Sequence, residues 1–120
     1  MAIQDGFEGL VKGLVKELDW KSVYSWTCYG GSIIGCQNQT AEKVGYGRIA
    51  CKLREFNIDG LLVIGDFEAF MSVTQLVEQR SDFNAFRIPL ICVPASISNN
   101  IAGSEFSVGC DTALNEIVSV

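Results

Sequence analysis

The sequence contains no histidine, and its five cysteines include no Cys-x-x-Cys pair. Zinc sites are built mainly from these two residue types at short spacings, so the sequence argues against a zinc site. Histidine is also the commonest general base near neutral pH, and its absence leaves few groups that could take a proton from a substrate. The odd number and irregular spacing of the cysteines indicate reduced, intracellular thiols.

Basic residues are also scarce: 9 Lys and Arg stand against 14 Asp and Glu, for a net charge of -5. A nucleic-acid interface requires a basic stripe, so no nucleic-acid partner is predicted. No stretch is apolar for the ~20 residues that a membrane span requires, so no membrane partner is predicted either. What the sequence does contain is 120 residues, 48% of them apolar, enough for one domain with a hydrophobic core.

The hydrophobic pattern alternates between helical and extended periods along the chain. Helices are predicted over residues 5–18, 40–56, 68–80 and from 110 onward, and strands over 21–27, 60–65 and 88–94. This order predicts an α/β fold, a three-layer, Rossmann-like sandwich around a three-stranded parallel sheet. Because a helix stands at each end without a strand beyond it, we expect residues 1–120 to be one incomplete domain, truncated at both ends.

Particular residues are expected to fix these elements. Asp5 and Glu8 form a capping-box pattern at the start of the first helix, and Thr40 suits the N-cap of the second. The strand over 60–65 is continuously apolar between its two glycines, as in strands that a parallel sheet buries on both faces. The side chains predicted to face the core are Phe70, Val73 and Val77 of the third helix and Cys110, Ala113, Leu114, Ile117 and Val118 of the last.

Hydroxyl and amide side chains follow the strand over 88–94 immediately after its closing proline, Pro94. In open parallel sheets, ligands bind just beyond the carboxyl ends of the strands. The segment Ser96–Asn100 would stand in that place, and it contains hydrogen-bonding groups without an acid, a base or a cation. It therefore predicts a site that binds a ligand but has little to catalyse with. The alternative is an ordinary polar turn that closes the strand.

Several segments of the chain carry a more specific pattern. They are Asp5-Gly6-Phe7-Glu8-Gly9-Leu10, Trp26-Thr27 with Gly30-Gly31-Ser32, Gly60-Leu61 with Gly65 and Phe67-Glu68-Ala69, Val93-Pro94-Ala95-Ser96-Ile97-Ser98-Asn99-Asn100, and Phe106-Ser107-Val108-Gly109-Cys110-Asp111-Thr112-Ala113-Leu114-Asn115. In this order they resemble the ATP-dependent 6-phosphofructokinase family, in particular the carboxyl-terminal, regulatory half of its animal-type members. The resemblance covers nearly the whole chain and marks it as a fragment of that half.

The resemblance implies an α/β sandwich with parallel sheets, in agreement with the predicted order of elements. It also implies a parent enzyme of glycolysis that transfers the γ-phosphoryl group of ATP to the 1-hydroxyl of fructose 6-phosphate, with ATP and magnesium as cofactors. Animal-type chains look like two fused copies, of which the amino-terminal copy performs the chemistry. The other copy binds the allosteric effector fructose 2,6-bisphosphate. A cytoplasmic homotetramer, in which the remainder of the same chain completes this segment, is implied as well.

Two departures from the catalytic copies concern the chemistry. Those copies carry Thr-Ile-Asp-Asn-Asp after the third strand, where the first Asp is the base, and here Ser98 stands at that position. They also carry Gly-Gly-Asp-Gly-Ser, whose Asp helps to hold magnesium, and here Phe67 stands at that Asp. Asp66 and Glu68 flank the position, and they suit the start of a helix better than a metal site. We therefore expect no catalytic residue, metal site or cofactor in this segment, and no activity from it alone.

Regulatory copies carry Thr-Val-Ser-Asn-Asn as part of the effector site, and loss of two carboxylates removes repulsion toward a bisphosphate. The resemblance therefore assigns effector binding to Ser96, Ile97, Ser98, Asn99 and Asn100. One departure points the other way: Gln37 and Asn38 replace the Lys-Arg pair of regulatory copies. Asn38 thus lacks a charge-assisted phosphate contact worth about 1.5–3 kcal/mol. The alternative to effector binding is a non-catalytic α/β scaffold or subunit-contact module.

Overall fold

The computed structural model of the protein describes all 120 residues. The helices are α1 (Gly6–Lys12), α2 (Ala41–Val44), α3 (Tyr46–Glu55), α4 (Phe67–Glu78) and α5 (Cys110–Ser119). The strands are β1 (Ala2–Ile3), β2 (Val15–Lys16), β3 (Leu61–Gly65) and β4 (Leu90–Pro94), and two short 3-10 turns cover Trp26–Cys28 and Asn84–Phe86. None of the helices combines the length and the apolar character that crossing a membrane requires.

The centre of the fold is the unit β3–α4–β4. β3 and β4 pair in parallel, with Leu61 opposite Leu90 and Gly65 opposite Pro94. α4 connects the two strands and packs on both, because a parallel pair needs a crossover long enough for a helix. The predicted α/β class with parallel strands is confirmed.

The hydrophobic core lies between the helices and one face of this strand pair. Its largest fully buried apolar side chains are Leu10, Ile49, Leu53, Leu76 and Phe86. Full burial of a side chain of this kind contributes about 1.5–3 kcal/mol, so these five residues hold α1, α3 and α4 together.

Arg80 fixes the turn between α4 and β4. Its guanidinium donates to the carbonyl oxygens of Phe86 at 2.9 Å and Ile88 at 3.0 Å. These bonds satisfy two carbonyls outside the sheet and direct the chain from the core residue Phe86 into β4.

The first helix is shorter than its hydrophobic periodicity predicts. It ends at Lys12 rather than Leu18 because Gly13 adopts a φ of 79°, a left-handed conformation that commonly stops helices. The chain then returns as β2, antiparallel to β1. A strand therefore precedes the first helix, contrary to the prediction. Asp5 has a φ of 53° and its side chain forms no cap hydrogen bond, so the predicted capping box is also absent.

The predicted strand over 21–27 is wrong, and the parallel sheet has two strands rather than three. The Asp19 carboxylate accepts the backbone N–H of Ser22 at 2.7 Å and starts a run of turns that ends in the 3-10 turn Trp26–Cys28. β-branched and aromatic residues favour strands only where a neighbouring strand and a packed face receive them. No strand pairs with this segment, so the local propensity is overridden.

The helix predicted over 40–56 is divided at Gly45, whose φ of 101° separates α2 from α3. Thr40 does precede α2, but its side chain forms no cap hydrogen bond. Instead the buried hydroxyl of Ser72 in α4 accepts the N–H of Ala41 at 3.2 Å. A tertiary contact thus replaces the local cap and ties α2 to α4.

α4 presents a different face to the core from the one predicted. Val73 is buried as expected, but Phe70 and Val77 are exposed, and Ser72 and Leu76 are buried in their place. The helix is apolar on more than one side, so its sequence does not fix which side packs inward.

The second face of the strand pair is not covered within these residues. Leu62, Ile64 and Ile91 are each more than half exposed, so the prediction that β3 is buried on both faces is wrong. α5 also buries none of its residues, and the predicted stripe of Leu114, Ile117 and Val118 is exposed.

Candidate functional site

The segment predicted as a ligand site forms an open turn at the end of β4. The N–H of Ala95 donates to the carbonyl of Gly65 at 2.7 Å, which continues the pairing with β3. On the opposite edge, the N–H of Ser96 donates to the carbonyl of Val108 at 3.0 Å, and Ala95 pairs in parallel with Val108. The ends of β3 and β4 and the approach to α5 therefore meet at Ser96–Asn100.

Ser96 anchors this turn. Its carbonyl accepts the hydroxyl of Ser107 at 2.6 Å, and its own hydroxyl oxygen accepts the N–H of Ser98 at 3.1 Å. The second bond is a serine turn, in which a side chain replaces a backbone acceptor. Ser96 thus has mainly a structural role, with one hydroxyl proton left to donate.

Asn99 is held in a left-handed conformation, with a φ of 50° that Asn adopts more readily than most residues. Its side-chain Oδ1 accepts the backbone N–H of Ser107 at 2.9 Å. The residue is exposed, and its Nδ2 forms no hydrogen bond within the chain. Asn99 therefore closes the loop with its oxygen and leaves its amide nitrogen available.

The other three predicted residues project from the turn. Ser98 and Asn100 are exposed, and their side chains form no hydrogen bond within the chain. Ile97 is also exposed. The polar groups are thus open to a ligand rather than sealed in the interior, and the Ser98 hydroxyl forms no hydrogen bond with a side chain that could act as a base.

Asp66, Phe67 and Glu68 follow the end of β3, at the positions where the resemblance places a magnesium ligand in catalytic copies. Asp66 is the N-cap of α4, and its carboxylate accepts the N–H of Glu68 at 3.1 Å. Phe67 is exposed and offers no ligand atom. No group of three or more His, Cys, Asp or Glu side chains comes together here or elsewhere in the chain. Asp66 and Glu68 therefore stand at the N-cap and in the first turn of α4, where carboxylates suit the positive end of the helix dipole.

Asn38 is connected through Gln37 to α1 and forms no bond with the turn. The Gln37 amide donates to the Glu8 carboxylate at 2.8 Å and its oxygen accepts the N–H of Asn38 at 3.0 Å. Asn38 is exposed, and no hydrogen bond joins it to Ser96–Asn100. Residues 88–120 contain no Lys or Arg, so the turn itself has no cation beside it in the sequence.

The Glu8 carboxylate of α1 contacts both Lys12 and Gln37. The Lys12 ammonium, 2.6 Å from the carboxylate, holds the pKa of Glu8 below its usual value. Desolvation opposes this effect, and the Gln37 amide and Arg48 make smaller contributions that lower the pKa. The ionised carboxylate therefore ties residues 37 and 38 to α1.

The loop that contains Gly30 and Gly31 reaches the same end of the fold as the turn Ser96–Asn100. A Cβ placed on Gly30 would lie 2.7 Å from Cγ2 of Thr112, in the first turn of α5. A side chain at this position would force the Thr112 side chain to move, so Gly30 lets the loop pack against α5 without a clash.

Two open clefts lie elsewhere on the surface. The larger, about 370 Å³, is lined by Gly47, Ala50, Cys51, Arg54, Asp82 and Phe83, and the smaller, about 270 Å³, by Leu18, Asp19, Trp20 and Val23. Neither cleft includes a residue of Ser96–Asn100.

Ser107 is the site residue that sequence reasoning does not single out. It is buried and contacts both Ser96 and Asn99 across the loop. A lone serine after an irregular loop has no distinctive pattern, so only the fold shows its role.

A parallel strand–helix–strand unit with a polar turn after the second strand is typical of α/β proteins, a class in which ligands commonly bind at the carboxyl ends of the strands. The chain matches the family described as Phosphofructokinase over residues 1–120. It belongs to the phosphofructokinase family.

Relatives and solved structures agree over nearly the whole chain. It is 49% identical over 118 residues to the ATP-dependent 6-phosphofructokinase subunit alpha of Candida albicans, which covers 98% of this chain and 12% of that protein. It is 47% identical over 120 residues to the ATP-dependent 6-phosphofructokinase of Schistosoma mansoni, which covers 100% of this chain and 15% of that protein. The structure of phosphofructokinase from Saccharomyces cerevisiae has a TM-score of 0.88 at 43% identity, covering 98% of this chain and 16% of that one. The chain thus spans less than a fifth of the length of these relatives.

Proposed function

We propose that these residues belong to the carboxyl-terminal, regulatory domain of an ATP-dependent 6-phosphofructokinase, and that they bind fructose 2,6-bisphosphate. The observation that carries the proposal is the turn Ser96–Asn100, which exposes one hydroxyl and two amide side chains at the carboxyl end of β4. The parent protein would catalyse the ATP-dependent phosphorylation of fructose 6-phosphate in glycolysis, as the names of its relatives indicate.

The composition of the turn favours binding over reaction. Phosphoryl transfer requires a group that takes the proton of the acceptor hydroxyl and a metal ion that neutralises the transferred phosphoryl group. Ser98 stands where the family resemblance places the base, and Phe67 stands where it places a magnesium ligand. Neutral hydroxyl and amide donors can still hydrogen-bond phosphate oxygens, so the surface retains the capacity to bind a phosphorylated sugar.

Cations for the two phosphates would come from outside the turn. Residues 88–120 provide none, and Glu105, Asp111 and Glu116 are acidic. We propose that other segments of the same chain supply the basic residues that complete the site. We also propose that the full chain assembles as a cytoplasmic homotetramer.

A second candidate is a non-catalytic scaffold or subunit-contact module without effector binding. It is favoured by one specific observation, the neutral Gln37 and Asn38 at the basic positions of regulatory copies. The same residues define the experiment, because a charge restored at Asn38 strengthens binding only if a phosphate lies within its reach.

The test is a calorimetric titration of the full-length protein with fructose 2,6-bisphosphate. The wild type should bind, and Asn38→Arg should lower the dissociation constant by about tenfold to a hundredfold, as expected for a new charge-assisted contact. Gln39→Arg is the matched control, since it adds the same charge one residue away. Absence of binding in both the wild type and Asn38→Arg would contradict the effector function and leave the scaffold.

A further inference from the structure

Ser107 joins the two ends of the loop that follows the candidate site. Its hydroxyl lies 2.6 Å from the carbonyl oxygen of Ser96 and 3.5 Å from Oδ1 of Asn99. A hydroxyl has one proton to donate, and the nearer carbonyl takes it. Asn99 therefore receives its bond from the Ser107 backbone N–H, at 2.9 Å.

This backbone bond fixes which way the Asn99 amide faces. A backbone N–H can only donate, so the side-chain atom beside it must be the acceptor, Oδ1, and not Nδ2. A flip of the amide would place two donors against each other next to a residue that is only 5% exposed. Nδ2 is thereby left without an intrachain partner on an exposed residue.

We infer that Ser107 is a positioning residue that orients the Asn99 amide with Nδ2 away from the loop, so that the turn offers a donor to the acceptor oxygens of a phosphate. The inference rests on the proposed function and deepens it, because it names the atom that meets the ligand and the residue that aims it. A free Asn side chain could turn either its oxygen or its nitrogen toward a ligand. In an Asn held by Ser107 the oxygen faces the loop and Nδ2 faces away from it, which favours ligands rich in acceptors.

The first arm of the test changes the ligand-facing atom and keeps the loop. Asn99→Asp retains an oxygen for the Ser107 N–H but replaces the Nδ2 donor with an anionic oxygen. Asn57→Asp is the matched control, because Asn57 is also exposed and also has a φ of 50°. Both variants add one negative charge at a left-handed residue, and only Asn99 lies at the turn.

Fructose 2,6-bisphosphate is titrated into the full-length wild type and both variants, and their thermal midpoints are compared. We expect Asn99→Asp to raise the dissociation constant at least about tenfold while Asn57→Asp leaves it unchanged, with similar thermal midpoints in the two variants. No binding by the wild type would contradict the proposed function itself. Binding by the wild type with equal constants in the two variants would overturn only the role of Asn99.

The second arm tests positioning by Ser107. Ser107→Ala removes the hydroxyl bond to Ser96 but keeps the backbone N–H, so it should weaken binding several-fold in the wild-type background. The same change should have little effect when Asn99→Ala is already present, since there is no amide left to aim. Equal effects in both backgrounds would overturn positioning and indicate a general loosening of the loop. If Ser107→Ala does not fold, Ser107→Cys, which is close in shape and a much weaker donor, replaces it in the same two backgrounds.

Discussion

A methyl group placed on Gly65 would lie 2.7 Å from the Cβ of Ala69. Gly65 is the last residue of β3 and Ala69 lies in the first turn of α4. The short distance between them therefore sets how closely the first turn of the helix packs against the end of the strand. The carbonyl of Gly65 also accepts the N–H of Ala95 at 2.7 Å, which places the candidate turn beside the start of α4. The position of the site therefore depends on a residue without a side chain at this point.

Gly65→Ala should destabilise the protein by about 1–3 kcal/mol, because the first turn of α4 must move to admit the new methyl group. Gly60→Ala is the control at the other end of β3, where the nearest atom to an added Cβ is 3.7 Å away. That change should stay within about 0.5 kcal/mol. Urea unfolding measures both, and the double variant Gly65→Ala with Ala69→Gly should recover part of the loss. Equal effects at Gly60 and Gly65 would contradict the packing described here.

The two faces of β3 differ in their contribution to stability. Leu61 is 8% exposed and packs in the core, whereas its neighbour Leu62 is 58% exposed on the opposite face. Leu61→Ala should therefore lower the free energy of unfolding by about 2–4 kcal/mol and Leu62→Ala by less than about 1 kcal/mol. Denaturant titration of the 120-residue chain is the measurement. Similar losses would mean that both faces are covered in solution.

Acid should release residues 37 and 38 from α1 through Glu8. Folding lowers the pKa of Glu8, so stability from the ionised carboxylate is fully present above its usual value of 4.5 and is lost as the pH falls through the lower folded value. NMR titration of the side-chain carboxyls checks this: the Gln37 amide resonance should move together with Glu8. Glu8→Gln should remove that transition and Glu105→Gln should not. A Gln37 signal that ignores the Glu8 titration would contradict the contact.

The local sequence pattern was sufficient to predict the elements at the centre of the fold but not those at its edges. β3, α4 and β4 were predictable because each has the period of its own structure and clear stops at Gly65, Asp66 and Pro94. The segment over 21–27 has the composition of a strand, but a strand requires a partner, and the sequence alone does not show that none pairs with it. The inward side of α4 was missed for a similar reason. Ser72 is buried because its hydroxyl accepts the N–H of Ala41 at the start of α2, and hydropathy does not predict such a contact.

The candidate turn was predictable only in part. Ser96–Asn100 was identified by its place after an apolar strand, and the structure does expose Ser98, Asn99 and Asn100 there. Which atom of Asn99 remains available depends on a residue eight positions further on, because the backbone N–H of Ser107 donates to the side-chain oxygen of Asn99. A contact of that kind depends on the path of the loop, which periodicity and propensity do not describe.

Ser98 offers the most direct test that this turn binds a phosphorylated ligand. Its side chain is exposed and without intrachain hydrogen bonds, so replacing it should leave the turn folded. Ser98→Asp restores a carboxylate at the position that the family resemblance gives to the catalytic base, and Ser98→Asn adds a side chain of the same shape without charge. A carboxylate beside a phosphate repels it, whereas the amide does not.

The decisive measurement is the dissociation constant of fructose 2,6-bisphosphate for these two variants of the full-length protein at one ionic strength. We predict that Ser98→Asp binds at least about tenfold more weakly than Ser98→Asn, and that Ser98→Asn stays close to the wild type. Equal dissociation constants for the two variants would contradict the binding of a phosphorylated sugar at this turn.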